Sequence, residues 1–413
     1  MYRFVEQVDP KEHDAFIAAH PLCNLLQTSD WAKVKDNWDH AIVGVRAGEQ
    51  LVASALVLIK QLPLHFTMMY VPRGPVMDYH NKELTVAFLQ GLQRWAKRYH
   101  CLFIKMDPGI HYRDYLIEEQ ETAEVHAGMK EILENLRAAE AIHQGFTTYI
   151  KESIQPRYQA NVYACEDFDA SLPRHTRRLI KDALKRNVEV VRVGEERLDE
   201  FADVVALTEK RKHVSLRNRE YFHQLMEIYQ EDCYLFLAEV DVRAMLEGLY
   251  EQRRENDAQL AQLKEGAPKK KRRLEDIHRS LARDIAEFEE IVREYPQRTV
   301  IAGVLSIKVG DTLEMLYAGM NERFKKFMPQ YYLYTEIMKY AFANGCRYAN
   351  MGGVEGDLQD GLTKFKANFH PHINEFIGEF DLPVNRVLYH ASQKAYAIRK
   401  NRMLKRNHKE TDQ

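Results

Sequence analysis

The chain has 413 residues, long enough for two domains with substantial cores. Its net charge of −2 excludes a global field that draws it to nucleic acid, so basic character has to act locally. Five dispersed cysteines (Cys23, Cys101, Cys165, Cys233, Cys346), none in a CxxC pair, exclude a disulfide frame and a cysteine zinc site, and suit a reducing cytoplasm.

The N-terminus, MYRFVEQVDPKEHDAF, is too charged for a secretory signal. The longest apolar stretch, Leu51–Ile59, is too short to cross a bilayer. Both predict a soluble, cytoplasmic protein that can still lie against a membrane. A β-rich stretch follows (Gln50–Lys60, then Thr67–Val71), leading through Pro72-Arg73-Gly74-Pro75 to a helix over Lys82–Tyr99 and a strand over Cys101–Met106. The same order returns later. Val300–Val309 and Leu313–Ala318 lead through Met320–Pro329 to a helix near Gln330–Asn344, and Arg347–Met351 closes the unit. Two β–β–helix–β units predict a duplicated α/β domain with mixed central sheets. The expected division puts residues 1–155 in a first domain, completed by about 375–413, and 156–374 in a second.

Between these units, a helix over Pro173–Asn187 carries Arg174, Arg177, Arg178, Lys181, Lys185 and Arg186 at steps that gather most of them on one face. Arg399–Lys409 is also strongly basic. Each run alone reads as readily as a solvated surface. The connection between the strands Tyr234–Val240 and Val300–Val309 is far longer than strand neighbours need. Over residues 241–298, Leu246, Leu249, Arg253, Asn256, Leu260 and Leu263 recur at steps of three and four, as do Leu274, Ile277, Leu281, Phe288, Ile291 and Tyr295. This is the seam of an antiparallel coiled-coil arm turning at Glu265–Pro268, with limbs of about 30 Å. A basic run, Lys269, Lys270, Lys271, Arg272 and Arg273, beside the tip points to a polyanion.

Short motifs recur in one order along the chain: Trp31-Ala32-Lys33-Val34-Lys35-Asp36-Asn37-Trp38, Arg73-Gly74-Pro75-Val76-Met77-Asp78, Lys105-Met106-Asp107-Pro108 and Ile154-Gln155-Pro156-Arg157. The spaced pair Arg217 and Tyr221, Leu316-Tyr317-Ala318-Gly319, Asn350-Met351-Gly352-Gly353 and Phe365-Lys366 complete the series. Together they resemble the Fem family of peptidoglycan bridge-forming aminoacyltransferases over essentially the whole chain. The resemblance implies two acetyltransferase-like (GNAT-type) domains, with the inserted arm similar to the helical arm of FemA-like members. It implies transfer of an amino acid from aminoacyl-tRNA to the position-3 side-chain amine of a muropeptide, carried by lipid II or by UDP-MurNAc. Within the family, the MYR start and the arm resemble the MurM/MurN branch, so alanine or serine is the expected amino acid.

Transfer from an activated ester to an amine needs two large substrates held together and a stabilised tetrahedral oxyanion. Lys366, after Phe365, matches the lysine given that task in FemX-like members; on its own it reads as a strand lysine, with Lys364 on the same side. Lys35 and Arg217 match positions that hold the acceptor diphosphate, and Tyr221 and Tyr317 match neighbouring substrate contacts. Arg219 competes with Arg217 for that part. Asp107 precedes a proline at a strand end and reads as an orienter for the ammonium or, equally, as a turn cap. Lys269–Arg273 of the arm, with Arg177 and Lys181 of the basic helix, are the expected tRNA contacts, and the basic C-terminal segment is a candidate for anionic lipid.

No R/Q-x-x-G-x-G/A pyrophosphate loop opens either helix, which argues against an ordinary coenzyme A enzyme. The histidines are dispersed, and His370-Pro371-His372 has no partner set at zinc spacing, so no metal and no bound cofactor are expected. Two other readings stay open: a small-molecule acyl-CoA N-acyltransferase, and a non-catalytic RNA- or membrane-associated scaffold built on the arm.

Overall fold

The computed structural model describes residues 1–212, 217–263 and 267–394, so the basic segment after Arg399 and part of the expected tip turn lie outside the described residues. Two eight-stranded mixed sheets organise the molecule. In the first, Gln50–Gln61 pairs antiparallel with Thr67–Val71, and the helix Lys82–Ala96 then returns the chain to Cys101–Met106, parallel to Thr67–Val71. In the second, Thr299–Val309, Thr312–Met320, the helix Pro329–Ala343 and Tyr348–Val354 repeat that order, again ending in a parallel pair. A parallel neighbour needs such a crossover, and the duplicated units expected from the sequence supply one to each sheet. The helix Lys82–Ala96 starts on an Asn81 cap and buries Leu84, Phe88, Leu92 and Trp95 along one stripe.

One strand of the expected first domain, His111–Leu116, joins the second sheet. His111–Leu116 pairs with His372–Phe376 in the second sheet, Ile142–His143 lies in the first, and Phe380–Pro383 joins the first beside Cys101–Met106. The chain therefore passes between the sheets four times: after Met106, after Leu116, before Tyr158 and after Phe376. His111, Arg113 and Asp114 deprive the crossing strand of apolar alternation, which hides it in the sequence. At the passages, Arg73 donates to the Pro156 carbonyl (2.6 Å), stacks on Phe376 (3.9 Å) and faces the Asp107 carboxylate (3.6 Å). Arg157 donates to the Phe376 carbonyl (3.1 Å) and pairs with buried Glu375.

The expected arm is a pair of helices, Val242–Ala261 and Pro268–Glu294, lying antiparallel. Asn256 Nδ2 donates to the Leu274 carbonyl (3.2 Å), and Asp257 meets His278 (2.7 Å). Leu274, Leu281 and Ile291 are buried as expected, but Ile277 is exposed and Ile285 takes an inward place. The second helix has 27 residues, about 40 Å, and its last turns rest on the body through Phe288 against Phe327 and Tyr295 against Phe324.

The helix Leu198–Lys212 lies directly on two glycines that face each other across strands, Gly303 and Gly319. A Cβ on Gly319 would stand 2.6 Å from the Val204 backbone. We expect Gly319→Ala to cost about 1–3 kcal/mol, read as a lower urea midpoint; unchanged stability would show that the helix can lift. A second expectation concerns Asp107, whose carboxyl burial raises to about 6 although Arg73 opposes the shift. A raised value contributes stability that is complete below the ordinary carboxylate range and is lost as pH rises through about 6. Asp107→Asn should remove that slope from urea midpoints measured across this window, whatever its offset.

Candidate active site

A groove of about 680 Å³ opens between the two units. One wall is the helix Ser29–Val34, capped by Thr28, with Trp31, Ala32 and Val34 buried; Lys35 follows as its C-terminal cap. The other is the helix Arg219–Tyr229, whose cap, Asn218, accepts from Tyr221 N (3.2 Å) and so fixes Arg217 just before it. Phe222, Leu225 and Tyr229 anchor this helix from below. Gln224 ties the walls together by donating to the Lys33 carbonyl (3.1 Å).

Lys35, Arg217 and Tyr221 all line this groove. Tyr317 packs edge-on behind Tyr221, with ring centres 5.8 Å apart. Burial, then the neighbouring Arg217 charge, push the Lys35 ammonium below its ordinary value. Lys35 sits over the Trp31 ring (5.0 Å) and Arg217 over Tyr221 (4.8 Å). Two like charges thus converge on one space, which suits a doubly charged anion. Arg219 turns elsewhere and pairs with Asp199, so only Arg217 of the two competing arginines reaches the groove. Lys60, over Trp38 at 5.4 Å, adds a third cation to the lining that sequence reasoning did not single out. Its only signal was position: near the end of a strand, it follows seven consecutive buried residues, Ala53–Ile59.

Lys366 lies on the far side of the segment 154–157. It ends a short helix, Gly361–Lys366, and not the expected strand. Asp360 caps that helix by accepting from Leu362 N (2.7 Å) and Thr363 N (3.1 Å). In a helix, residues two apart point to opposite sides, so Lys364 is exposed while Lys366 is buried. Phe365 packs among Tyr331, Tyr334 and Phe369. Lys366 Nζ donates to the Gly353 carbonyl (2.7 Å), where Tyr348–Val354 has already parted from Thr312–Met320. Gly353 in turn backs onto Pro156, leaving no room for a Cβ, and the preceding Ile154 and Gln155 line the groove. One strap of chain therefore separates the cationic groove from the buried lysine.

Asp107 is 2 % exposed and does not line the groove; it partners Arg73 at the junction, taking the Arg73 N–H at 3.1 Å. The basic helix, Arg174–Lys185, buries Thr176, Leu179 and Ala183 and exposes Arg177 and Lys181 beside an open cleft of about 650 Å³. Its Thr176 hydroxyl donates to the Asn368 carbonyl (2.5 Å), two residues beyond Lys366. Lys269–Arg273 are all exposed near the arm's far end. Among the described residues, no group of three or more His, Cys, Asp or Glu side chains is placed to hold a metal ion, and no helix is long and apolar enough to cross a membrane.

The chain is 30% identical over 406 residues to a lipid II:glycine glycyltransferase of Staphylococcus epidermidis, covering 93% of this chain and 94% of that one. A Staphylococcus aureus protein of the same name is 30% identical over 403 residues, covering 92% of each. The crystal structure of FemX superposes with a TM-score of 0.74 at 28% identity, covering 95% of this chain and 99% of that one. The sequence profile of the FemAB family matches residues 8–397, and the chain belongs to that family.

Proposed function

We propose that this protein is an aminoacyltransferase that moves one small amino acid from aminoacyl-tRNA to an amine on the stem peptide of lipid-linked muropeptide. The observation that carries the reading is the pairing of a cationic groove with a buried lysine across one strap of chain. The groove is suited to an acceptor diphosphate, with Lys35 and Arg217 as its anchors and Tyr221, backed by Tyr317, beside them. The acceptor amine then reaches past residues 154–157 toward Lys366. The amine nitrogen bonds to the ester carbonyl carbon, and the carbonyl oxygen takes up negative charge. Lys366, held by the Gly353 carbonyl, faces that charge in a desolvated setting where it counts most. When the intermediate collapses, the carbon–oxygen ester bond breaks and the ribose oxygen leaves with a proton.

The basic helix is the part best placed to take the donor's phosphates, because one hydrogen bond joins it to the Lys366 segment. The exposed run Lys269–Arg273 near the arm's far end is a second place for those phosphates. The relatives' names favour glycine as the amino acid over the alanine or serine expected from the sequence. Purified protein incubated with lipid II and a panel of charged tRNAs, with products weighed, decides between them. Failure to extend lipid II with any of them would refute the reading.

Within that assay, Lys366→Ala should lower kcat about 10²–10³-fold with little change in acceptor KM. Lys35→Ala and Arg217→Ala should instead raise acceptor KM, each by about 10- to 100-fold, while Arg219→Ala stays near wild type. The opposite split would reassign the groove. Replacing Arg177 and Lys181 by Glu should weaken use of limiting aminoacyl-tRNA. It should also flatten the salt dependence of binding by about one unit of slope per lost phosphate contact, measured by filter binding.

A further inference from the structure

A second cavity, of about 250 Å³, lies on the other side of the Arg73–Phe376 contact from the groove, between residues 21–24 and the second sheet. Its floor is rich in hydrogen-bond acceptors. Glu314 is 9 % exposed, and its only direct donor among the described residues is Asn350 Nδ2, at 2.8 Å to Oε2. Oε1 is left over. Asn161, 2 % exposed and also on the floor, gives its Nδ2 to Asn374 and has an Oδ1 that accepts from nothing. A buried acceptor without a donor, such as Asn161 Oδ1, is costly, and it shares this floor with a carboxylate oxygen that is free to accept.

The charges facing this space do not supply that donor. Arg347, at the mouth, is taken by Asp311 (3.0 Å), and His111 by Asp114 (3.1 Å). Cys23 is held as a neutral thiol, its pKa pushed up to about 12 by burial and then by Asp311 and Glu314. Arg73 acts on Glu314 only at a distance, from behind Phe376. Tyr163, Tyr348 and Phe376 add aromatic surface to the lining. A buried carboxylate, an unpartnered amide oxygen and aromatic rings are the chemistry that takes an alkylammonium group.

We propose that this cavity is a binding site for a primary ammonium group, with Glu314 and Asn161 as its acceptors. The ammonium can belong to a free small amino acid, whose carboxylate would share Arg347 with Asp311, or to a side-chain amine without one. The site does not depend on the donor or acceptor assigned above. It adjoins the reaction centre, because Asn350 Oδ1 accepts from Gly352 N (2.8 Å), next to the carbonyl that holds Lys366.

The test is a thermal-shift titration of the full chain with n-propylammonium, glycine and n-propanol at about pH 8, where Glu314, pushed up to about 7 by burial, is ionised. Stabilisation by propylammonium but not propanol supports a side-chain amine; stabilisation by glycine above propylammonium supports a free amino acid. Glu314→Gln keeps the Asn350 bond and so should fold, yet bind either ligand about 10- to 100-fold more weakly. Asn161→Ala should weaken it likewise, and Lys35→Ala should leave it unchanged. No shift with either ammonium, an equal shift with propanol, or full binding by Glu314→Gln would overturn the proposal.

Discussion

One buried cation holds the two units in register. Arg73 is 2 % exposed and has φ +51°, a backbone region that a side-chain-bearing residue adopts only under constraint. Its guanidinium touches Asp107, Pro156 and Phe376, residues beside three of the four places where the chain changes sheets. Removing one partner from a buried charge costs several kcal/mol, so the three passages are stable only together. Whatever moves one unit against the other strands this charge. The groove and the Lys366 segment, which lie on either side of the 154–157 strap, inherit their spacing from that junction.

Legibility in the sequence followed locality. The helix Lys82–Ala96 and the strand Gln50–Gln61 announce themselves by unbroken patterns over a dozen or more residues, and the duplicated order followed from them. The arm was legible for the same reason, apart from the exchange of Ile277 for Ile285, since a seam can drift within a stripe that stays apolar. What could not be read was set by distant residues. The strand His111–Leu116 has no apolar alternation because both its partners and its covering come from elsewhere in the chain. Lys366 read as a strand residue because six residues are too few to show a helical period; the deciding signal was the Asp360 cap.

The candidate site shows the same division. Lys35, Arg217 and Tyr221 were picked out through motif order, and the fold brings them to one groove, although 182 positions separate Lys35 from Arg217 in the numbering. The three motif segments containing Arg73, Asp107 and Pro156 were equally visible, but their common meeting point was not, since nothing in a linear pattern says which buried charges share a partner. Lys60 escaped because a lone lysine at a strand end is ordinary until the opposite wall is known.

The way the groove holds its cations also shows how a chain of net charge −2 concentrates positive charge locally. Arg219 shows the usual outcome, a guanidinium neutralised by the carboxylate of Asp199. Lys35 and Arg217 are seated instead on the faces of Trp31 and Tyr221. An aromatic face orients a cation and offsets part of its desolvation, but it does not cancel the charge. The two cations therefore stay in place, repelling each other, until an anion enters between them. On the proposed function, binding relieves a repulsion already present in the folded chain, which is the physical reason to expect a group carrying two negative charges there over one carrying a single charge.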